Sequence, residues 1–170
     1  MRPGGSKIKG HNFERKVAKI LSNWWGVKDS FVRTPGSGAY AKFVGDDLKE
    51  RLRCDLITPK EFPFIVECKC VEGFEFHLLL QDFEKSIFKK WMDELEEKIN
   101  KLNVSYKPML IFSRNRWKTF VALRRKDYID FNLNLSKKIV LEVDQKSYVL
   151  FLLNDFIKEV SKNILIKNGK

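Results

Sequence analysis

Residues 55–69 read DLITPKEFPFIVECK and place three ionisable groups, Asp55, Glu67 and Lys69, where periodicity predicts buried β-strands. Successive side chains of a strand alternate between its two faces, so Ile65, Glu67 and Lys69 share one face and the other face is apolar. If residues 53–57 form a neighbouring strand, joined to the first by a loop around residues 59–63, Asp55 lies beside Glu67. Two carboxylates and one ammonium group would then converge.

This convergence suggests a particular chemistry. Carboxylate oxygens are the ligands that Mg²⁺ prefers, with waters and phosphate oxygens completing its shell. A metal held in this way lowers the pKa of a bound water and neutralises charge that develops on a phosphoryl group. Lys69 would orient that water or stabilise the anionic transition state, so the pattern suggests hydrolysis of a phosphodiester. The alternative is a solvated strand in which Glu67 and Lys69 form an ordinary surface pair.

The composition of the 170-residue chain predicts one folded domain spanning residues 1–170. Its hydrophobic fraction is 44% and its aromatic fraction 13%. No apolar run reaches the ~20 residues that span a bilayer, and the first five residues lack the apolar core of a signal peptide. We therefore expect a soluble, intracellular and cytoplasmic protein without membrane contact.

The three cysteines, Cys54, Cys68 and Cys70, all fall in predicted strands. Their odd number does not suit a disulfide framework, so we expect reduced, buried thiols. A zinc site with His77 as the fourth ligand is the alternative.

The charge of the chain is unevenly distributed around a net value of +11. Residues 1–53 carry twelve Lys or Arg against five acids, and residues 104–170 carry fourteen against six. Residues 54–77 reverse this balance, with two basic and five acidic residues. An acidic centre between basic flanks suits a polyanion that is gripped by its backbone and brought to a metal. The alternative is a lysine-rich surface that only confers solubility.

Periodicity predicts helices and strands along the whole chain. A first helix begins near residue 11 or 12, with Asn12 as a possible cap, and ends at Gly26. A short strand at 30–33 leads into a Gly-rich turn at 34–39, and a long amphipathic helix lies within residues 78–103. Strands follow at 109–112, 119–123, 139–143 and 148–153, and then a short helix through Phe156, Ile157 and Val160. On the long helix, the following residues are interpreted as a solvated face without chemistry: Asp93, Glu94, Glu96, Glu97, Lys98 and Lys101.

Four motifs occur in a specific order: Gly10-x-x-Phe13-Glu14-Arg15, residues 33–39 (RTPGSGA), Asp55, and Glu67-x-Lys69. Together they resemble the PD-(D/E)XK nuclease superfamily, in particular archaeal Holliday junction resolvases and resolvase-like phage endonucleases. The resemblance implies a restriction-endonuclease-like αβββαβ core at about residues 8–125, with a central mixed β-sheet flanked by helices. Residues 127–170 would add a β-hairpin and a helix as a C-terminal extension.

The resemblance also implies an activity and a site. It implies a metal-dependent DNA endonuclease of viral type, acting in recombination on branched DNA, with Mg²⁺ as cofactor and Mn²⁺ as a substitute. Asp55 and Glu67 would bind the metal, Glu14 would complete the site through the metal or its water, and Lys69 would position the attacking water. Two coordinated cuts would require a homodimer. The residues that we expect to contact DNA are Lys9, Arg15, Arg33, Ser37, Arg53, Arg114 and Arg116.

The chain departs from the family pattern in some places. Cys54 replaces the proline that usually precedes the aspartate, and Trp91 lacks the glutamine that often follows it on the long helix. Asp46 and Asp47 are alternative ligands in a polar loop. The competing functions are a noncatalytic DNA-binding or packaging accessory protein with this fold, and a nuclease acting on linear or single-stranded DNA.

Overall fold

The computed structural model describes residues 5–35, 54–102, 105–143 and 145–169. Helices and strands both occur throughout these segments. In chain order they are α1 (Gly5–Trp25), β1 (Val32–Arg33), β2 (Leu56–Ile57), β3 (Phe64–Val71), α2 (Leu78–Gln81), a 3₁₀ turn (Phe83–Lys85), α3 (Ile87–Leu102), β4 (Lys107–Arg114), β5 (Phe120–Arg124), α4 (Arg125–Asp130), β6 (Ile139–Val143), β7 (Lys146–Leu152), α5 (Leu153–Glu159) and α6 (Lys162–Asn168).

A five-stranded mixed sheet with the order β3-β4-β5-β7-β6 forms the centre of the molecule. β3 and β4 are parallel, and α3 makes the crossover between them, whereas the other neighbours are antiparallel. Helices flank this sheet, so the predicted α/β class and the restriction-endonuclease-like architecture are confirmed. The C-terminal hairpin of β6 and β7 belongs to the same sheet, because β7 pairs with β5.

The segment that carries Asp55 differs from its prediction. In the described part of residues 53–57, only β2 is a strand, and Asp55 lies in a bend just before it. β2 pairs antiparallel with β1 in a separate two-stranded sheet, with Val32 opposite Ile57, instead of joining β3. The prediction of a strand adjacent to β3 is therefore wrong, because the partner of this segment is the short strand that follows α1.

The alternation predicted for β3 is confirmed by the two layers of core on its faces. Phe64, Val66 and Cys68 pack in the cluster that includes residues of α1, whereas Ile65 packs in the cluster beneath α3. Since Glu67 and Lys69 follow Ile65 at intervals of two, they point to the side of α3. This face of β3 carries the ionisable groups.

The first helix is longer than predicted, since it begins at Gly5 and not near residue 11. It ends where expected: Gly26 has a φ of +79° and its N–H donates to the carbonyl of Ser22. A positive φ is inexpensive only for glycine.

The predicted long helix is interrupted before Ile87. Ser86 has extended backbone dihedrals, its hydroxyl donates to the Phe83 carbonyl, and the N–H of Lys89 donates to that hydroxyl. This arrangement starts a new helix in the manner of an N-cap. Ile87, the first residue of the new helix, is exposed and Phe88 is buried, whereas Trp91, Leu95 and Ile99 further along the helix are buried.

None of the helices in the described segments is long and apolar enough to cross a membrane.

Candidate active site

Asp55 reaches β3 from the neighbouring two-stranded sheet. The residue after β1, Thr34, fixes this segment, because its N–H donates to the Asp55 carbonyl at 2.9 Å and its hydroxyl donates to the Cys54 carbonyl at 2.6 Å. The side chain of Asp55 then crosses to β3, where Oδ2 accepts a hydrogen bond from the N–H of Cys68 at 2.7 Å. Asp55 therefore lies against the backbone between Glu67 and Lys69, as the sequence pattern predicts, although it is not in an adjacent strand.

Glu67 is a buried carboxylate between two ammonium groups. It is 8% exposed. Its Oε1 lies 3.0 Å from Nζ of Lys69, and its Oε2 lies 2.6 Å from Nζ of Lys98. A carboxylate so far removed from water has lost most of its hydration, which charged partners and hydrogen bonds must replace. The two lysines supply both.

Lys98 is the site residue that the sequence interpretation missed. The prediction that Lys98 lies on a solvated face of the long helix is wrong, since its ammonium group extends from α3 to Glu67 on β3. A signal was present in the spacing: Trp91, Leu95, Lys98 and Leu102 follow one another at intervals of four, three and four, which places them on one helical face. A lysine within an apolar stripe of this kind indicates a buried partner.

Glu14 lies on the inner side of α1 and is joined to β1. Its Oε2 accepts a hydrogen bond from Nε of Arg33 at 2.6 Å, and both side chains are largely shielded from solvent. Burial raises the pKa of Asp55 and the negative charge of Glu14 adds to this effect, so the two carboxyl groups lie close enough to interact electrostatically. Glu14 and Asp55 come from segments separated by 41 residues, and the fold brings them together.

Burial and mutual repulsion characterise the electrostatics of the centre. Burial raises the pKa of Asp55 to about 6, and the charges of Glu67 and Glu14 add to this effect, while the Cys68 N–H and Lys69 oppose it. For Lys98, burial by itself would lower the pKa, but attraction to Glu67 and the hydrogen bond between them outweigh burial and raise it. The carboxylates of Glu67 and Glu14 thus destabilise the charged form of Asp55.

The donor set fits a divalent cation in its chemistry. Asp55, Glu67 and Glu14 supply carboxylate oxygens, the ligand type of Mg²⁺, and a cation would relieve the repulsion that raises the pKa of Asp55. Within residues 5–35, 54–102, 105–143 and 145–169, no three His, Cys, Asp or Glu side chains already stand in a metal-binding arrangement. Both oxygens of Glu67 are engaged by lysines here, so binding of a cation would require Glu67 to share or release an ammonium group.

The zinc alternative lacks support from the cysteines. Cys54, Cys68 and Cys70 are free thiols, and burial raises the pKa of Cys54 to about 12 and that of Cys68 well above its ordinary value. Thiolates, not thiols, bind metals. Reduced cysteines are confirmed, and Cys54 and Cys68 are buried as expected.

Several residues expected to contact DNA gather beyond the end of β3. Nζ of Lys9 lies 3.7 Å from Oε1 of Glu72, and Nε of Arg114 donates to the Glu72 carbonyl at 3.1 Å. Arg116 is exposed in the turn after β4 and has a φ of 65°. Lys9 and Arg114 thus lie at the end of β3 that follows Lys69, and the DNA contacts of all three residues stay predictions.

The other expected DNA contacts are placed differently. Arg15 is exposed on α1, whereas Arg33 faces Glu14 and serves to hold that carboxylate. The predictions for Ser37 and Arg53, and the alternative ligands Asp46 and Asp47, lie outside the described residues.

Comparison with known proteins supports the interpretation of the chain as a PD-(D/E)XK nuclease. The chain is 27% identical to protein D14 of Escherichia phage T5 over 166 residues, which cover 95% of this chain and 98% of the phage protein. No solved structure matches this chain. A family profile described as "Phage putative PDDEXK endonuclease" matches residues 5–167. This match covers nearly the whole chain, supports the viral type and confirms the expectation of a nuclease. The chain therefore belongs to this phage family of PD-(D/E)XK endonucleases.

Proposed function

We propose that the chain is a metal-dependent DNA endonuclease that hydrolyses phosphodiester bonds in branched DNA such as Holliday junctions. The observation that carries this proposal is the convergence of Asp55, Glu67 and Lys69, with Glu14 beside them, in one partly buried cluster. These side chains come from three separate segments, and Asp55 carries its charge at a cost in a poorly solvated site. A protein that only binds DNA has no need for such a cluster.

Each side chain has a distinct role in the proposed reaction. Asp55 and Glu67 would hold Mg²⁺, for which Mn²⁺ would substitute, and Glu14 would complete the site while Arg33 keeps Glu14 in place. The metal would supply neutralisation of charge on the phosphoryl oxygens and a more acidic bound water. Lys69 would orient a water for in-line attack on phosphorus, and cleavage of the P–O3′ bond would leave 5′-phosphate and 3′-hydroxyl ends.

The choice of branched DNA rests on the basic flanks and on the family resemblance. Basic side chains near the end of β3 suit contacts with phosphates, which position DNA without reading its sequence. Resolution of a junction needs two coordinated cuts, so the active form would be a homodimer with two-fold symmetry. Sedimentation at working concentration tests this form, and a monomer that resolves junctions with paired cuts would contradict it.

The decisive experiment combines substrates, metals and variants. The protein is incubated with a four-way junction, a fork, linear duplex and single strand, with Mg²⁺, Mn²⁺ or EDTA. We expect cutting of branched DNA that requires metal and is lost in Asp55→Ala and Lys69→Ala, while DNA binding persists. Cutting that survives both substitutions would overturn the site, and binding without cutting under every condition would favour the noncatalytic accessory protein.

A further inference from the structure

A groove of about 680 Å³ lies at the end of the central sheet where β5 begins and β7 ends. Phe120 and Leu150 form part of its apolar floor, and Trp117 and Ile139, which are 38% and 48% exposed, lie at its margin. An apolar groove that remains open to water indicates a binding surface.

The charged residues around the groove are basic. Lys118, Lys137 and Lys138 line it, all three are exposed, and the described residues that line it include no Asp or Glu. Glu159 stands nearby, bound to the N–H and hydroxyl of Ser136. Lysines around an apolar floor complement a ligand that combines apolar faces with negative charge.

Strand pairing relates the groove to the nuclease site. Lys69 pairs with Phe112, Phe112 with Phe120, and Phe120 with Leu152, so a single row of cross-strand partners runs from the site to the groove. Neighbouring strands are about 4.8 Å apart, which places Phe120 about 10 Å from the Lys69 backbone. This is the length of a few nucleotides of one DNA strand.

Arg114 lies between these two places. It donates to the carbonyl of Glu72, just beyond β3, and its guanidinium stacks over the ring of Trp117 at 5.0 Å. A basic side chain therefore stands on the path from the nuclease site to the groove, around the end of the sheet.

We propose that this groove binds an unpaired DNA strand, and that the preferred substrate carries a single-stranded segment a few nucleotides from the bond that is cut. An unpaired strand offers base faces that stack on aromatic side chains, together with phosphates for lysines. A duplex offers its phosphates but keeps its bases stacked, and would leave the apolar floor unused. This inference rests on the proposed nuclease function and predicts that, among branched DNAs, forks and flaps with an unpaired strand are preferred to fully paired four-way junctions.

A second copy of the chain fits the groove less well. A two-fold interface sets the same patch against itself, so Lys118, Lys137 and Lys138 would face their own copies. Like charges brought together in this way oppose association.

Binding of oligo(dT) in EDTA tests the groove without cleavage. Of the four tryptophans, Trp117 is 38% exposed, whereas Trp25 and Trp91 are each only 6% exposed. We expect oligo(dT) of about twelve nucleotides to quench part of the fluorescence. The Trp117→Phe variant should still bind oligo(dT), as measured by fluorescence anisotropy, but without that quenching. The Trp117→Ala variant should bind oligo(dT) at least about tenfold more weakly. Duplex of the same length should bind the Ala variant and the original protein alike.

A matched pair of double variants tests the lysines. The double variant Lys137→Ser/Lys138→Ser should reduce the slope of log affinity against log salt concentration for oligo(dT) by about 1.4, because each lost phosphate contact contributes about 0.7. Lys60→Ser/Lys107→Ser removes the same charge at the opposite end of the sheet and should leave that slope unchanged.

Three outcomes would overturn the proposal. These are unchanged oligo(dT) affinity in Trp117→Ala, quenching that persists in Trp117→Phe, and groove substitutions that dissociate a dimer without altering oligo(dT) binding. The last would identify the groove as an interface between copies. Groove-dependent binding without metal-dependent cutting would contradict the nuclease function alone, whereas metal-dependent cutting with no groove effect would contradict this inference alone.

Discussion

Glu67 depends on its two lysines for its place inside the molecule. A carboxylate with 8% exposure has lost most of its hydration, and the contacts with Lys69 and Lys98 replace it. The two lysines differ in origin, because Lys69 belongs to the recognisable motif on β3 and Lys98 comes from α3. Glu67 is therefore a buried carboxylate bound by two ammonium groups, which a metal would have to displace or share it with.

Lys98→Met should destabilise the protein in EDTA by about 1 to 3 kcal/mol, because it leaves one oxygen of a buried carboxylate without its donor. Mg²⁺ should recover much of this loss, since the freed oxygen becomes available to it. Urea denaturation with EDTA and with Mg²⁺ measures both effects. Lys101→Met, one turn away and paired with Glu97 in solvent, is the control and should cost less than about 0.5 kcal/mol. Equal losses for the two variants would contradict a special role for Lys98.

Asp55→Asn should stabilise the metal-free protein at neutral pH by about 1 to 3 kcal/mol. The folded state raises the pKa of Asp55 from 3.8 to about 6, so it favours the protonated carboxyl. The ionised carboxylate therefore destabilises the fold progressively as pH rises from about 4 to 6, and the neutral amide avoids this cost. Thermal unfolding in EDTA should show the gain at pH 7 and its disappearance below about pH 4.

The exposed residue Asp130 provides the control for that measurement, as Asp130→Asn should leave the pH profile unchanged. A stabilising effect of Asp55→Asn that is equally large at pH 3.5 would mean that its cause is not the ionisation of Asp55.

Helix ends decide how the elements meet around the site. α1 must stop at Gly26 so that β1 can return alongside it and bring Arg33 to Glu14. Ser86 begins α3 anew, which turns Trp91, Leu95 and Lys98 towards the sheet. Both local signals lie well away from the site that they help to align.

Gly26→Ala should reduce stability by about 1 to 2 kcal/mol, because a residue with a Cβ is strained at a φ of +79°. A Cβ at this position would have room, so the cost is one of backbone conformation. Gly73→Ala is the matched control: nothing lies within 4 Å of its Cβ position, and it should be close to neutral. Chemical denaturation of both variants provides the comparison, and similar stabilities would contradict the role of Gly26 as the required helix end.

The C-terminal hairpin belongs to the central sheet of the whole molecule. β7 lies between β5 and β6, and Val149, Leu150 and Phe151 on it are buried on both faces of the sheet. The indole N–H of Trp24 on α1 donates to the carbonyl of Val160, which ties the C-terminal part to the first helix. The core predicted at residues 8–125 therefore shares its sheet and packing with the extension.

A truncation after residue 126 should lack cooperative unfolding, because it removes an internal strand and exposes β5. A chain that ends after residue 161 keeps the sheet and loses only α6, so it should unfold cooperatively with reduced stability, since it loses the buried Leu165. Circular dichroism with heating compares the two. A cooperative transition in the shorter chain would show that residues up to 126 form an independent domain.

The sequence by itself determined the class of the fold, the end of the first helix, the alternation along β3 and the grouping of Asp55, Glu67 and Lys69. These follow from local rules: residue periodicity, glycine conformation and a motif contained within fifteen residues. Only the tertiary structure decided that Asp55 arrives from the sheet of β1 and β2, that Arg33 holds Glu14, and that Lys98 completes the surroundings of Glu67. Such contacts join residues 13 to 31 positions apart, or belong to different layers, and depend on how helices dock on the sheet. Local periodicity carries no information about that docking, because the same amphipathic helix can face the sheet at several positions along its length.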